Sequence, residues 1–345
     1  MAGKASDPWH DVPHEVLLCN FGGPTQASEV EPFLKRLFED PFIIRSPFMP
    51  AAVRRYLARR ISKKRAPLIG AEYAKIGYSP INKYTDVQAR LLEAQLREIR
   101  PQSTVRVVNR YTAPHAADVI KRIDWHKARV FVLSLYPHLC HSTTVSSYRD
   151  LDLALSAAGI VDPPTTRIYS WWHLPEYLDY GTDELVATLK QAAAAHPGQR
   201  VTVLFSAHGI PQRYHERGDP YVNEIKAHFS ALRQRVRAAM QSSDDGAFDK
   251  LIQWQLSFQS RVGPVEWVKP YTDTEVTRLA NSGGVLVMVP VSFTSDHIET
   301  LFEMDHTYRQ LALDAGFLGY FRVKTPNGDA RLATCLSSIL RQAGY

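Results

Sequence analysis

Cysteine is scarce: Cys19, Cys140 and Cys335 are the only three in 345 residues, far apart and without any C-x-x-C spacing. That argues against a disulfide framework and against a four-thiolate iron–sulfur cluster, so no cluster is expected. Long apolar runs are missing too. The longest, near Val285 to Val291, is too short to cross a bilayer. The first dozen residues, Met1 to Val12, carry Lys, Asp, His and Pro but no apolar core, so no secretory signal is expected. An intracellular, cytoplasmic protein is the expectation. The stretch Asn20-Phe21-Gly22-Gly23-Pro24 is not a G-x-G-x-x-G fingerprint, and Pro24 removes a backbone donor where a phosphate cradle needs one, which speaks against nucleotide binding. His297 and Glu299 stand two apart rather than in the His-Glu-x-x-His pattern of a zinc hydrolase. Neither short repeats nor low-complexity tracts occur.

What is present reads as a two-domain α/β protein. Candidate strands fall into two groups, 16–19, 105–110, 130–135 and 167–169, then 201–205, 251–258, 285–291 and 319–323, separated by helical patterns. The expected fold is two Rossmann-like domains, each a roughly four-stranded parallel sheet flanked by helices, with the cleft between them. The expected boundaries are a tail at 1–12, a first domain at 13–170, a second at 171–325, and a C-terminal helix at 326–345 packing back on the body. The formal charge of +6 is unevenly spread. Arg54, Arg55, Arg59, Arg60, Lys63, Lys64 and Arg65 crowd together inside a lip region at 41–65, next to Phe42, Ile43, Ile44, Phe48 and Met49. Such a stretch suits an anionic lipid surface, an acidic ligand, nucleic acid, or simply a solvated helix face. With no nucleic-acid fold recognisable, nucleic acid is not expected as a partner.

Two segments carry the chemistry. In each, an apolar run ends in ionisable residues: Ser206-Ala207-His208-Gly209-Ile210-Pro211 after the fifth strand, and Ser295-Asp296-His297-Ile298-Glu299-Thr300-Leu301 after the seventh. Open α/β sheets bind ligands at the carboxyl ends of their strands. His208, read as lying in a tight turn, can accept a proton near neutrality or ligate a metal. Asp296, Glu299 and Glu303 are spaced i, i+3, i+7, so on a helix three carboxylates would line one face as a path for protons or a divalent metal. Asp296 as an N-cap with Glu299 as its capping-box partner accounts for two of them without function. Aromatic and polar residues cluster at other strand ends: Phe21, Arg110-Tyr111, Tyr136-Pro137-His138, and Gln259-Ser260-Arg261-Val262-Gly263-Pro264 with Trp267. That combination suits a large, flat, anionic ligand.

These residues, with Arg65-Ala66-Pro67, Ser79-Pro80-Ile81, Ser142-Thr143-Thr144 and Gly218-Asp219-Pro220-Tyr221 in order between them, make the chain resemble the ferrochelatase family. The resemblance implies a lyase that inserts Fe²⁺ into protoporphyrin IX, releases two protons and completes haem biosynthesis. Iron would be a substrate, and no cofactor would be required. It further implies catalytic roles for His208, Glu299, His297, Asp296 and Glu303, with His208 and Glu299 as metal contacts and part of the acidic segment on a π-type helix. Phe21, Arg65, Ser79, Arg110, Tyr111, Ser260, Trp267 and Phe293 would bind the porphyrin. A monomer with peripheral membrane contact through the lip is expected. Coproporphyrin as substrate, or a non-catalytic haem- or porphyrin-binding protein, are the alternatives. The sequence departs from the family pattern at Gly77-Tyr78, where three glycines before the Ser-Pro are common, and at Leu68 and Thr307.

Overall fold

The structure is a computed structural model that describes residues 12–44, 49–241 and 250–345. The expected tail, up to residue 11, and Phe48 of the expected lip lie outside the described residues. Among the described residues, eight strands form two sheets. The first holds β1 (His14–Asn20), β2 (Ser103–Asn109), β3 (Arg129–Ser134) and β4 (Thr165–Ile168) in the order β2-β1-β3-β4. The second holds β5 (Val201–His208), β6 (Ile252–Gln259), β7 (Val285–Pro290) and β8 (Gly319–Arg322) in the order β6-β5-β7-β8. Every pairing is parallel. Each expected strand is found, with ends shifted by a few residues. The largest shift is at β5, whose ladder with β6 continues to the pair His208 and Gln259. His208 is therefore the last residue of the strand, not part of the turn after it.

The central strands read as unbroken apolar runs because both of their faces are covered. Alternate residues of β1 enter different cores. Val16 and Leu18 join Leu92, Leu96, Leu133 and Leu336, while Leu17 and Cys19 join Val132, Tyr148 and Leu151. In the second sheet Val203 and Phe205 face Ile225 and Val236, and Leu204 faces Met288, Met304 and Tyr308. The closing helix Ala330–Gln342 returns to the first half, where Leu332, Leu336 and Leu340 fill the core behind β1.

Both sheets reverse direction of growth between their two central strands, β1 and β3 in one and β5 and β7 in the other. A crevice opens outside the carboxyl ends at such a switch point. Over it lie α1 (Ala27–Glu39) and α2 (Ala51–Lys75), whose Phe33, Phe38 and Tyr73 form a cluster with Tyr111. Phe21 and Tyr78 from the first half and Ile298 from the second pack against that cluster. The basic stretch is thus part of a 25-residue helix roofing the cleft, with Val53, Tyr56, Leu57 and Leu68 exposed along it.

Candidate active site

His208 stands at the end of β5 and Glu299 at the start of a ten-residue π-helix, Glu299–Tyr308, that follows β7. These are the two switch-point strands, which is why residues 91 positions apart meet. His208 Nε2 lies 3.4 Å from Glu299 Oε1. The other ring nitrogen, Nδ1, is 2.6 Å from the carbonyl of Gly209, which makes Nδ1 an N–H in either protonation state and leaves Nε2 as the atom that gains or loses a proton beside Glu299. Gly209 has no room for a side chain: a Cβ there would be 2.9 Å from the Gln259 carbonyl. Trp267 flanks the imidazole with ring centres 6.3 Å apart.

His297 Nε2 approaches Glu299 Oε2 at 3.6 Å, an electrostatic contact too long for a hydrogen bond. Phe293 holds the His297 ring edge-on, with centroids 4.6 Å apart. Burial alone would raise the pKa of Glu299, but the charges of His208 and His297 outweigh it and hold the carboxyl below its usual range. Glu303 is the opposite case. Burial and the neighbouring Glu299 charge push it up to about 7, a rise the Ser260 hydroxyl moderates. That hydroxyl donates to Glu303 Oε2 at 2.6 Å from a residue with φ of 63°, a backbone conformation uncommon outside glycine. One carboxylate held ionised beside one poised to exchange a proton near neutrality is an arrangement that relays protons. Four residues apart on the same helix, Glu299 and Glu303 share a face.

Asp296 does not share it. The helix begins only at Glu299, so the i, i+3, i+7 row expected from the sequence breaks at its first member. Asp296 instead accepts from Arg322 at 3.0 Å and Asn327 at 2.8 Å. Burial works against its charge, but Arg322 prevails and keeps the carboxyl low, fixing the turn into the helix.

The remaining expected residues divide between the cleft and its walls. Phe21 is half-buried and packs edge-on against Tyr111 at 4.5 Å. Tyr111 itself is fully buried, its hydroxyl donating to Asp40 at 2.7 Å, and Arg110 is held by Asp40 at 3.0 Å and Asp150 at 3.2 Å. Both therefore brace the pocket from behind. Ser79 is buried against Gly23, where a Cβ would come within 2.5 Å of its hydroxyl. Arg65 is half-buried over the Phe38 ring at 5.6 Å. Two residues outside the expected set matter. Gln259 donates to Glu303 at 3.2 Å and accepts from Ser206 at 2.6 Å, and Ser292 accepts the His208 backbone N–H at 3.2 Å. Gln259 was legible in the motif containing Ser260; a lone Ser292 carries no pattern.

The family model described as ferrochelatase matches residues 14–343. Chloroplastic ferrochelatase-2 of Cucumis sativus is 38% identical over 333 residues, covering 95% of this chain and 62% of its own length. The ferrochelatase of Rippkaea orientalis is 39% identical, covering 90% of this chain and 78% of the relative, and that of Desulfotalea psychrophila is 36% identical, covering 89% and 90%. Among solved structures, a Deinococcus radiodurans protein described as similar to chelatases, with two additional domains, superposes with a TM-score of 0.50 at 13% identity. It covers 96% of this chain and 55% of that one, a likeness of fold.

Proposed function

The chain belongs to the ferrochelatase family, and on that premise we propose that it inserts Fe²⁺ into protoporphyrin IX at the cleft between the two sheets. The observation that carries this reading is His208 Nε2, the ring nitrogen free to gain or lose a proton, set opposite Glu299 across the switch point. A free-base porphyrin holds two N–H protons where the metal must go, so insertion needs groups that take them. His208 accepts one at Nε2, Nδ1–H staying on the Gly209 carbonyl. Glu299 accepts the other and passes it to Glu303, which exchanges it with solvent near neutrality. His208 and Glu299 are also the donors placed to touch Fe²⁺ as it enters. They form an open pair, and among the described residues no cluster of three or more His, Cys, Asp or Glu forms a metal site. Fe²⁺ is substrate here, and no further cofactor is assigned; the three cysteines lie in three separate cores.

The pocket walls favour two propionates over four. Of the two arginines expected to bind the porphyrin, Arg110 is committed to Asp40 and Asp150, which leaves Arg65. We assign the protein to the cytoplasm as a monomer, with α2 resting against anionic membrane through its exposed Lys, Arg, Val53, Tyr56 and Leu57. No helix of the described residues is long and apolar enough to cross a membrane. Binding to anionic liposomes at low salt tests the contact.

The deciding experiment is anaerobic Fe²⁺ insertion into protoporphyrin and coproporphyrin side by side, with the wild type and His208→Ala. Removing the proton acceptor should lower turnover roughly 10²- to 10⁴-fold while porphyrin still binds. Faster turnover of coproporphyrin would reassign the substrate. Porphyrin bound without turnover by the wild type would make this a binding protein.

A further inference from the structure

Gln259 is the last residue of β6, and it holds both sides of the reaction centre. Pairing of β5 with β7 stops at Ser206 and Pro290, whereas its pairing with β6 runs on to His208 and Gln259. The Gln259 carbonyl then accepts the N–H of Gly209 at 2.9 Å, which ties down the peptide that follows His208. The side chain reaches the opposite wall. Its Nε2 donates to Glu303 Oε2 at 3.2 Å and lies 3.5 Å from the main-chain carbonyl of Glu299, a weaker contact. At the other end of the amide, Ser206 donates to Oε1 at 2.6 Å. The Ser206 hydroxyl bonds that of Thr272 at 2.9 Å, and Thr272 bonds Ser257 at 2.9 Å, so a row of hydroxyls runs away from the site. All four residues are buried.

We propose that Gln259 is a positioning residue that sets the gap between His208 and Glu299: its main chain anchors the strand end that carries the histidine, and its amide anchors the start of the π-helix that carries the glutamate. The hydroxyl row decides which way round the amide sits. With Ser206 donating to Oε1, the N–H bonds of Nε2 are turned toward the helix. A rotated amide would set its oxygen against the Glu303 carboxylate, acceptor against acceptor, and would lose both holds. A buried amide satisfied at both ends keeps one orientation, and a reacting group misplaced by about 1 Å costs on the order of 10²-fold in rate. The role rests on the reading of His208 as a proton acceptor beside Glu299.

The test measures kcat, porphyrin KM and melting temperature for Gln259→Met, Ser206→Ala, the double variant and His208→Ala. Methionine keeps the length of the side chain and removes its amide, so Gln259→Met should lower kcat roughly 10- to 100-fold at unchanged KM. Ser206→Ala frees the amide to rotate and should lower kcat roughly 3- to 10-fold, with the double variant no worse than Gln259→Met. A melting temperature that falls while kcat per folded molecule stays intact would make the network structural and overturn the proposal. A rise in KM at full kcat would do the same, by making Gln259 a porphyrin contact. Should Gln259→Met not fold, Ser206→Ala decides alone, and full kcat there sinks the positioning role. Turnover surviving in His208→Ala would overturn the underlying reading instead.

Discussion

The two halves of the molecule share strand order and parallel pairing, and both end their central strands at the same cleft, yet they bring opposite chemistry to it. At the end of β5 and after β7 come His208, His297, Glu299 and Glu303, ionisable groups that touch one another and face the opening. After β1 and β2 come Gly22, Gly23, Arg110 and Tyr111, and the charges there are turned inward onto Asp40, which is 1% exposed. Topology places a site at the switch point of both sheets. Which half reacts is decided by whether its polar groups find partners in the protein first. The half whose charges are satisfied becomes a wall; the half whose charges are left facing the cleft becomes the reaction centre.

Breaking this division tests it. The largest effect belongs to Glu299→Gln, which should reduce Fe²⁺ insertion roughly 10²- to 10⁴-fold with the melting curve little changed. Arg110→Met should do the reverse. It leaves Asp40 buried beside an apolar chain and costs about 3–5 kcal/mol in urea denaturation, while turnover per folded molecule persists. A large loss of kcat in Arg110→Met at full stability would erase the distinction between wall and centre.

Glu303 sharpens the comparison through pH. Its carboxyl is raised from 4.5 to about 7, so the folded protein holds a proton there that the unfolded chain has lost. Stability from this group is therefore present below pH 4.5 and falls away as pH rises through 7. Glu303→Gln should gain stability relative to wild type over that span and flatten the rise of kcat with pH near 7, where wild type gains an ionised acceptor. A wild-type profile still rising there in the variant would assign the limb to another group. The smallest effect lies at the seam. His138 Nε2 meets His228 Nδ1 at 3.0 Å, both buried, and burial lowers His228 from 6.5 to about 3. Unfolding then takes up protons once pH drops below 6.5, so stability falls with pH in that window. His228→Leu should lessen that slope by up to about 1.4 kcal/mol per pH unit, read from urea midpoints at successive pH values. An unchanged slope would mean the pair is already solvated.

The strands were legible because burial on both faces writes them as apolar runs, and His208 and Glu299 because each follows such a run. Strand order was not legible, since it depends on pairings between segments far apart in the chain. Asp296 was misplaced because spacing presupposes a helix start, and the start is set by Arg322 and Asn327 from the other end of the domain. Arg110 and Tyr111 were correctly sited at a strand end, but position along a strand does not say which way a side chain turns. Their direction is set by Asp40, a single residue at the end of α1.

The closing helix has a consequence for how the chain is made. Leu332, Leu336 and Leu340 complete the core behind β1, so that strand lacks these neighbours until the seven strands that follow it have been made. The second sheet is built from one contiguous stretch, 201–322, and can close on its own schedule. During synthesis the reactive half is thus ready before the wall it must react against, and the two become one enzyme only when the closing helix docks.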